Sequence, residues 1–284
     1  MNDTVLENKK PSTVKRNFNK SIQLTPLTAI SIILRSYRTS ELKGIVSYLK
    51  QNRETEKEVI AVCVTNDYDI EGAEVILEGS NMFEARITGI KNAIYDKVLF
   101  IDSDQIPEKG LLKELDNKKE DMVIIPEKSM NNGFISRCLD DWRYRIETLT
   151  RKQISPFIPV TPRFYRKHYL LDSVNKFSAN IYKIISHEDS ILYYYAFQQT
   201  KNINFSEKHI FNYDPKFFKL MHKAYLYGKN RKDTKNLEIP GDISLLLYKL
   251  NKNTLNIKEL GFGKGYIIQI IRGISYEFGK IFSE

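Results

Sequence analysis

The stretch Lys97–Gly110, KVLFIDSDQIPEKG, carries the decision about the fold. Val98 to Ile101 is a short apolar run of the kind that fills a buried strand. It ends on two carboxylates, Asp102 and Asp104, with only Ser103 between them. Along an extended chain, residues i and i+2 point to the same side, so the pair crowds two negative charges together. Such a pair repels unless a cation or a set of donors sits between its members. It also reads as a solvated turn, because Asp and Ser are common turn formers and short D-x-D matches arise by chance. Its place at the end of a buried strand favours a divalent-cation site. Mg²⁺ or Mn²⁺ takes one or two carboxylates together with substrate phosphates.

Outward from this stretch the chain alternates strand and helix patterns. AISIIL after Thr28 reads as a buried strand, and ELKGIVSYLKQ follows as a helix with Leu42, Ile45, Val46 and Leu49 on one face and Ser40 as N-cap. EVIAVCV (58–64) and AEVIL (73–77) read as the next strands, and Phe83, Ile87, Ile90 and Ile94 mark one face of a second helix. Beyond VLFI come a helix at LLKEL and a strand at MVII (122–125). This rhythm predicts a mostly parallel sheet covered on both faces, with ligands bound beyond the carboxyl ends of its strands. Asp102 and Asp104 stand at such an end. The second half is less regular: DDWRYRIE reads as helical, PFIPVTPRFYRK as extended and basic, and SHEDSILYYYAFQQ as a helix opening on acidic residues, which suits its N-terminal dipole.

The 284 residues suffice for a full core, with 42% hydrophobic and 28% charged residues. A net charge of +9 favours anionic partners. The two cysteines, Cys63 and Cys138, have no partners at metal-ligand spacing, so neither a disulfide framework nor a structural zinc site is expected. Residues 1–26 read as a flexible basic tail without the apolar core of a signal peptide, and no run is long and apolar enough to span a membrane. A cytoplasmic protein, or one peripheral on the cytoplasmic membrane face, is therefore expected. The first strand leads into LRSYRTSE, with neither G-x-G-x-x-G nor G-x-x-x-x-G-K, which argues against dinucleotide and P-loop chemistry. GFGKG at 261–265 has no strand before it and reads as a turn.

The order SIILRSYR, AVCVTND, EARITGI, VLFIDSD, PRFYRK, HEDS and AYLYGKN resembles the family 2 glycosyltransferases of the GT-A fold, over roughly residues 28–232. The resemblance implies an α/β nucleotide-diphospho-sugar transferase domain at 27–232, followed by a helical extension at 233–284. It implies an inverting, metal-dependent transfer from a nucleotide-sugar donor to a hydroxyl or lipid-linked acceptor. Arg35, Ser36 and Tyr37 match the turn that holds the nucleotide, and Arg86 matches an arginine that contacts it. Thr65 and Asn66, with Asp67 next, stand where the family usually has an acidic pair for base and ribose. Asp102 and Asp104 match the metal and nucleotide motif. Glu188 and Asp189 match the Glu-Asp pair in which the Asp is the base, and His187 replaces the commoner Gly before it. Where some members place a metal-ligating His, this chain offers Asn212, Tyr213 and Asp214.

Arg163, Arg166 and Lys167, with Lys229 and Arg231, read either as neutralising a diphosphate or an anionic acceptor, or as plain solvated surface. The C-terminal GYIIQIIRGISYEFGKIF is amphipathic and reads either as packed on the core or as lying in a membrane interface. One rival activity is nucleotidyl transfer, although LRSYR lacks the usual glycines. Another is a non-enzymatic basic protein binding membrane or nucleic acid. The dispersed positive charge and the lack of a named motif argue against a nucleic-acid partner.

Overall fold

Strand β1 (Ala29–Arg38) lies inside the main sheet, and its alternation sorts the core into two faces. Ile30, Ile32 and Leu34 pack on one face with Leu42, Ile45, Val46 and Leu49, while Ile33 packs on the other with Phe83, Ile87 and Ile90. Strand β4 (Lys97–Asp102) repeats the rule: Leu99 and Ile101 join the first face, Val98 and Phe100 the second. Near-continuous apolar runs of this kind are what strands covered on both sides require.

The computed structural model describes residues 29–78, 81–158, 160–177, 181, 184, 187–235, 240–254 and 263–282, with the side chains of 82, 230–235 and 251–254 left out. The expected tail at 1–26 lies outside the described residues, as do 261 and 262 of the expected turn. The main sheet adds β2 (Glu56–Thr65), β3 (Glu74–Leu77), β6 (Met122–Ile124), β8 (Phe164–Arg166) and β9 (Ile203–Phe205), in the order β3-β2-β1-β4-β8-β6-β9. It is parallel except for β8, which runs antiparallel between β4 and β6. A smaller sheet joins β5 (Gln105–Pro107), β10 (Ile210–Asn212) and β7 (Glu127–Ser129).

Helices α1 (Lys43–Gln51) and α3 (Leu111–Asn117) cover the first face. Helices α2 (Met82–Asn92), α5 (Lys167–Val174), α6 (Glu188–Gln199) and α8 (Gly241–Thr254) cover the second. Helix α4 (Phe134–Lys152) extends the predicted DDWRYRIE segment, and α7 (Phe217–Lys235) runs unbroken across residue 232. Helix α9 (Lys264–Ile281) packs on α7 and α4. No described helix is long and apolar enough to cross a membrane.

Three local expectations need correction. Ser40 does not cap α1: it sits in a 3₁₀ turn (Thr39–Leu42), and its backbone N–H and hydroxyl both go to Asp67, at 3.0 and 2.7 Å. The 3₁₀ turn separates Ser40 from α1, which begins at Lys43 with Leu42 in the N-cap position and no side-chain cap. Ile94 is not on the buried face of α2, because the helix ends at Asn92 and Ile94 is 47% exposed. PFIPVTPRFYRK is not extended throughout: among its described residues only β8 is a strand, and α5 starts at Lys167.

Candidate active site

The alternation that builds the core also builds the site. On β1, Ile33 is followed by Arg35 on the same side, and on β4, Phe100 is followed by Asp102. Arg35 and Asp102 are direct partners across the two strands. Tyr165 of β8 lies in the same core face, and Arg163 stands two residues before it. The three side chains meet beneath α2 and α6. Asn81 caps α2, accepting from the backbone N–H groups of Phe83 and Glu84, and Arg86 comes from the second turn of this helix.

Asp102 is ringed by three guanidinium groups. Arg35 Nε donates to its Oδ1 at 3.0 Å, Arg163 Nη1 donates to its Oδ2 at 3.2 Å, and Arg86 Nη2 lies 3.5 Å from Oδ1. Each arginine reaches a second carboxylate as well. Arg35 Nη1 donates to Glu188 Oε1 at 2.6 Å, Arg163 Nε donates to Glu127 Oε1 at 2.8 Å, and Arg86 Nη1 pairs with Asp189 Oδ1. Burial alone would raise the Asp102 carboxyl, but Arg35, Arg163 and Arg86 hold it well below the usual carboxylate range. The charge of Asp102 itself is thus held by donors in the structure.

Glu188 and Asp189 open α6, where the helix dipole favours negative charge. His187 before them has φ +67°, a left-handed conformation that a glycine adopts without strain. Burial works against the Glu188 charge, but Arg35 and Arg86 keep its carboxyl below the ordinary value. Burial lifts Asp189 above its ordinary value against the pull of Arg86, and the Glu188 charge adds to the lift. The Asp189 side chain remains 32% exposed, although its Oδ1 is buried. Arg86 is only 3% exposed, and its Nε and Nη2 have no hydrogen-bond acceptor among the described residues.

Asp104 lies past the end of the strand. The strand ends at Asp102, the chain turns through Ser103, and Asp104 is exposed. Its carbonyl accepts from the Tyr213 N–H at 2.8 Å, which draws the end of β10 beside it. Desolvation by the crevice walls and the Asp102 charge both push its carboxyl up. A group in that position gains from a cation. Asn212 and Asp214 have partners of their own: Asn212 bonds Gln105 and Glu127, and Asp214 takes Arg143 Nη2 at 2.6 Å. No group of three or more His, Cys, Asp or Glu side chains suited to a metal ion occurs among the described residues. A divalent cation at Asp104 would have to draw the rest of its shell from substrate oxygens and water.

The remaining expected residues form the rim or lie elsewhere. Ser36 is buried and its hydroxyl donates to Glu41, whereas Tyr37 is 58% exposed. Asn66 is exposed and accepts from Thr39 at 3.1 Å. Arg166 pairs with Asp96 and Lys167 bonds the Ala93 carbonyl, so neither enters the crevice. Lys229 is exposed on α7, and the Arg231 side chain lies outside the described residues. Sequence reasoning missed Glu127 and Arg143. Arg163, Glu127, Arg143 and Asp214 form a charge chain away from Asp102, with Arg143 Nε 3.8 Å from Glu127 Oε2. The only signal was Glu127 standing two residues after the apolar Ile125.

No family model and no curated protein matches this sequence. The solved structure of S. aureus TarS 1–349 is similar to the chain, with a TM-score of 0.50 at 16% identity over 87% of this chain and 80% of that one. A structure of S. aureus TarS gives 0.47 at 18% identity, over 78% of this chain and 42% of that one. The 1–349 fragment in complex with UDP-GlcNAc gives 0.45 at 17%, over 78% and 70%. The first likeness shows that this α/β chain shares the fold of TarS 1–349.

Proposed function

We propose that the chain is an inverting, family 2-like glycosyltransferase that takes a nucleotide-sugar donor and a hydroxyl acceptor, with Mg²⁺ or Mn²⁺ held at Asp104. The observation that carries the reading is Arg86: a buried guanidinium with two unfilled donors, set against Asp102 at the carboxyl end of the sheet. Buried polar groups without partners are rare and call for a reason. Donors converging at this edge suit the oxygens of a nucleoside diphosphate. The space among Ile33, Arg35, Arg86, Phe100, Ile101 and Asp102 has no room for a water molecule, so a diphosphate reaches the Arg86 donors only when the arginine swings outward. Exposed Tyr37 would stack on a base.

Asp189 then removes the proton of an acceptor hydroxyl. The acceptor oxygen attacks the anomeric carbon, and the bond to the diphosphate breaks with its electron pair leaving on the phosphate oxygen. A carboxyl lifted above its ordinary value is a stronger base than a free aspartate. Arg86 keeps Asp189 oriented, and the charge of Glu188, fixed by Arg35, adds to its basicity. When bound, the cation would supply a Lewis acid for the departing charge. Arg35 and Arg163 keep Asp102 ionised throughout.

The experiment is single-turnover transfer from a panel of nucleotide sugars, UDP-GlcNAc first because the similar fragment holds it, to sugar acceptors. It is run with Mn²⁺ and with EDTA, on wild type and Asp189→Asn. Loss of the base should slow transfer by about 10²–10⁴-fold. Full activity of Asp189→Asn would remove it from the mechanism. Equal rates with EDTA would remove the cation, and absence of both binding and turnover for every donor would discard the reading.

A further inference from the structure

Helix α9 is built inside out. The residues it buries against α7 and α4 are mostly small, Gly265, Ser275 and Gly279, with Ile268 the one large side chain. A Cβ at Gly265 would collide with the Trp142 backbone, and one at Gly279 with the Tyr225 carbonyl. Gly228 of α7 is equally tight against the Tyr276 carbonyl. With backbones this close, large side chains have no room between the helices. They point the other way. Ile267, Ile270, Ile274, Phe278 and Ile281 recur every three or four residues and are 44–65% exposed, and exposed Phe282 follows. A helix that served only to close the core would turn this stripe inward.

An exposed apolar stripe of this length marks a contact surface, and the charge around it selects the partner. By sequence α7 and α9 carry nine Lys and Arg against two acidic residues. Lys219, Lys223 and Lys229 are exposed on α7. Met221, His222 and Tyr225 of α7 line, with Ser275 and Phe278, a groove of about 250 Å³ between the two helices. We infer that the α7–α9 face lies on an acidic lipid bilayer, its apolar stripe in the headgroup boundary and its lysines on lipid phosphates. Two copies meeting through this face would set like charges against each other, whereas acidic lipid provides the countercharge. The inference holds whatever chemistry the crevice performs.

Flotation of the full chain with vesicles of phosphatidylcholine, with and without phosphatidylglycerol, tests it. Wild type should bind the acidic vesicles about tenfold or more above the neutral ones, and high salt should weaken binding. Ile274→Asp with Phe278→Asp, and separately Lys219→Glu with Lys229→Glu, should each lower the bound fraction about tenfold, with an unchanged melting temperature. If the first pair disturbs folding, the lysine pair decides alone, and undiminished binding by it overturns the inference. So does wild type that stays unbound or binds both vesicle types equally. A wild-type dimer in light scattering that both variants convert to a monomer would assign the face to a second copy instead.

Discussion

Replacing Asp102 by Asn removes one negative charge from the centre of three guanidinium groups while keeping the shape of the side chain. Removing one partner of a buried ion pair costs about 3–5 kcal/mol when the other is left without a countercharge. Here no arginine is stranded: Arg35 keeps Glu188, Arg86 keeps Asp189 and Arg163 keeps Glu127. With Asp102 itself 25% exposed, the expected loss falls to about 2–3 kcal/mol. The pH dependence gives the sharper test. The folded carboxyl titrates below the unfolded one, so its stabilisation is complete above the unfolded pKa and drains away as pH falls toward the folded value. With an unfolded pKa of about 3.9, wild type loses about 1.3 kcal/mol of this contribution by about pH 3. Asn does not titrate, so the gap between the two proteins narrows by that amount. Urea unfolding at neutral pH and near pH 3, with equal m-values, measures it. A gap under about 1 kcal/mol at neutral pH, or one that widens on acidification, refutes the reasoning.

Two packing predictions share a thermal-unfolding assay. A methyl group at Gly89 of α2 would press into the Ile33 side chain of β1, so Gly89→Ala should destabilise by about 1–3 kcal/mol. Gly44→Ala in α1 meets nothing within 4 Å and should be neutral or stabilising by about 0.5 kcal/mol. If both behave alike, the close approach of α2 to β1 is not what the structure shows. At His187, the Gly and Ala variants lose the same side chain and differ only in tolerance of φ +67°. His187→Gly should be the more stable of the two by about 1 kcal/mol, and equal stabilities would mean that the backbone there is not left-handed.

Half of the site could be read from the chain because it depends on local periodicity. An apolar run that alternates between two core faces carries Arg35 and Asp102 to the same side, and a helix opening on Glu188 and Asp189 needs only its own first turn. Where the reading stopped, contacts between distant segments took over. Asp102 and Asp104 end in different surroundings because the chain leaves β4 at Ser103 and enters β5, whose pairing with β10 is made more than 100 residues later. Ser40 lost its capping role because a 3₁₀ turn, tied to Asp67 beyond the end of β2, comes between it and α1. β8 is three residues long, too short to show a period, and is a strand only because β4 and β6 flank it. That insertion brings Arg163 to Asp102 and turns an apparent surface arginine into part of the site. Helix α9 shows the same division in one element. Its spacing revealed an apolar stripe, but periodicity is indifferent to which face meets a neighbour. Only the glycine contacts with α7 and α4, where backbone meets backbone, decided that the small residues face in and the large ones face out.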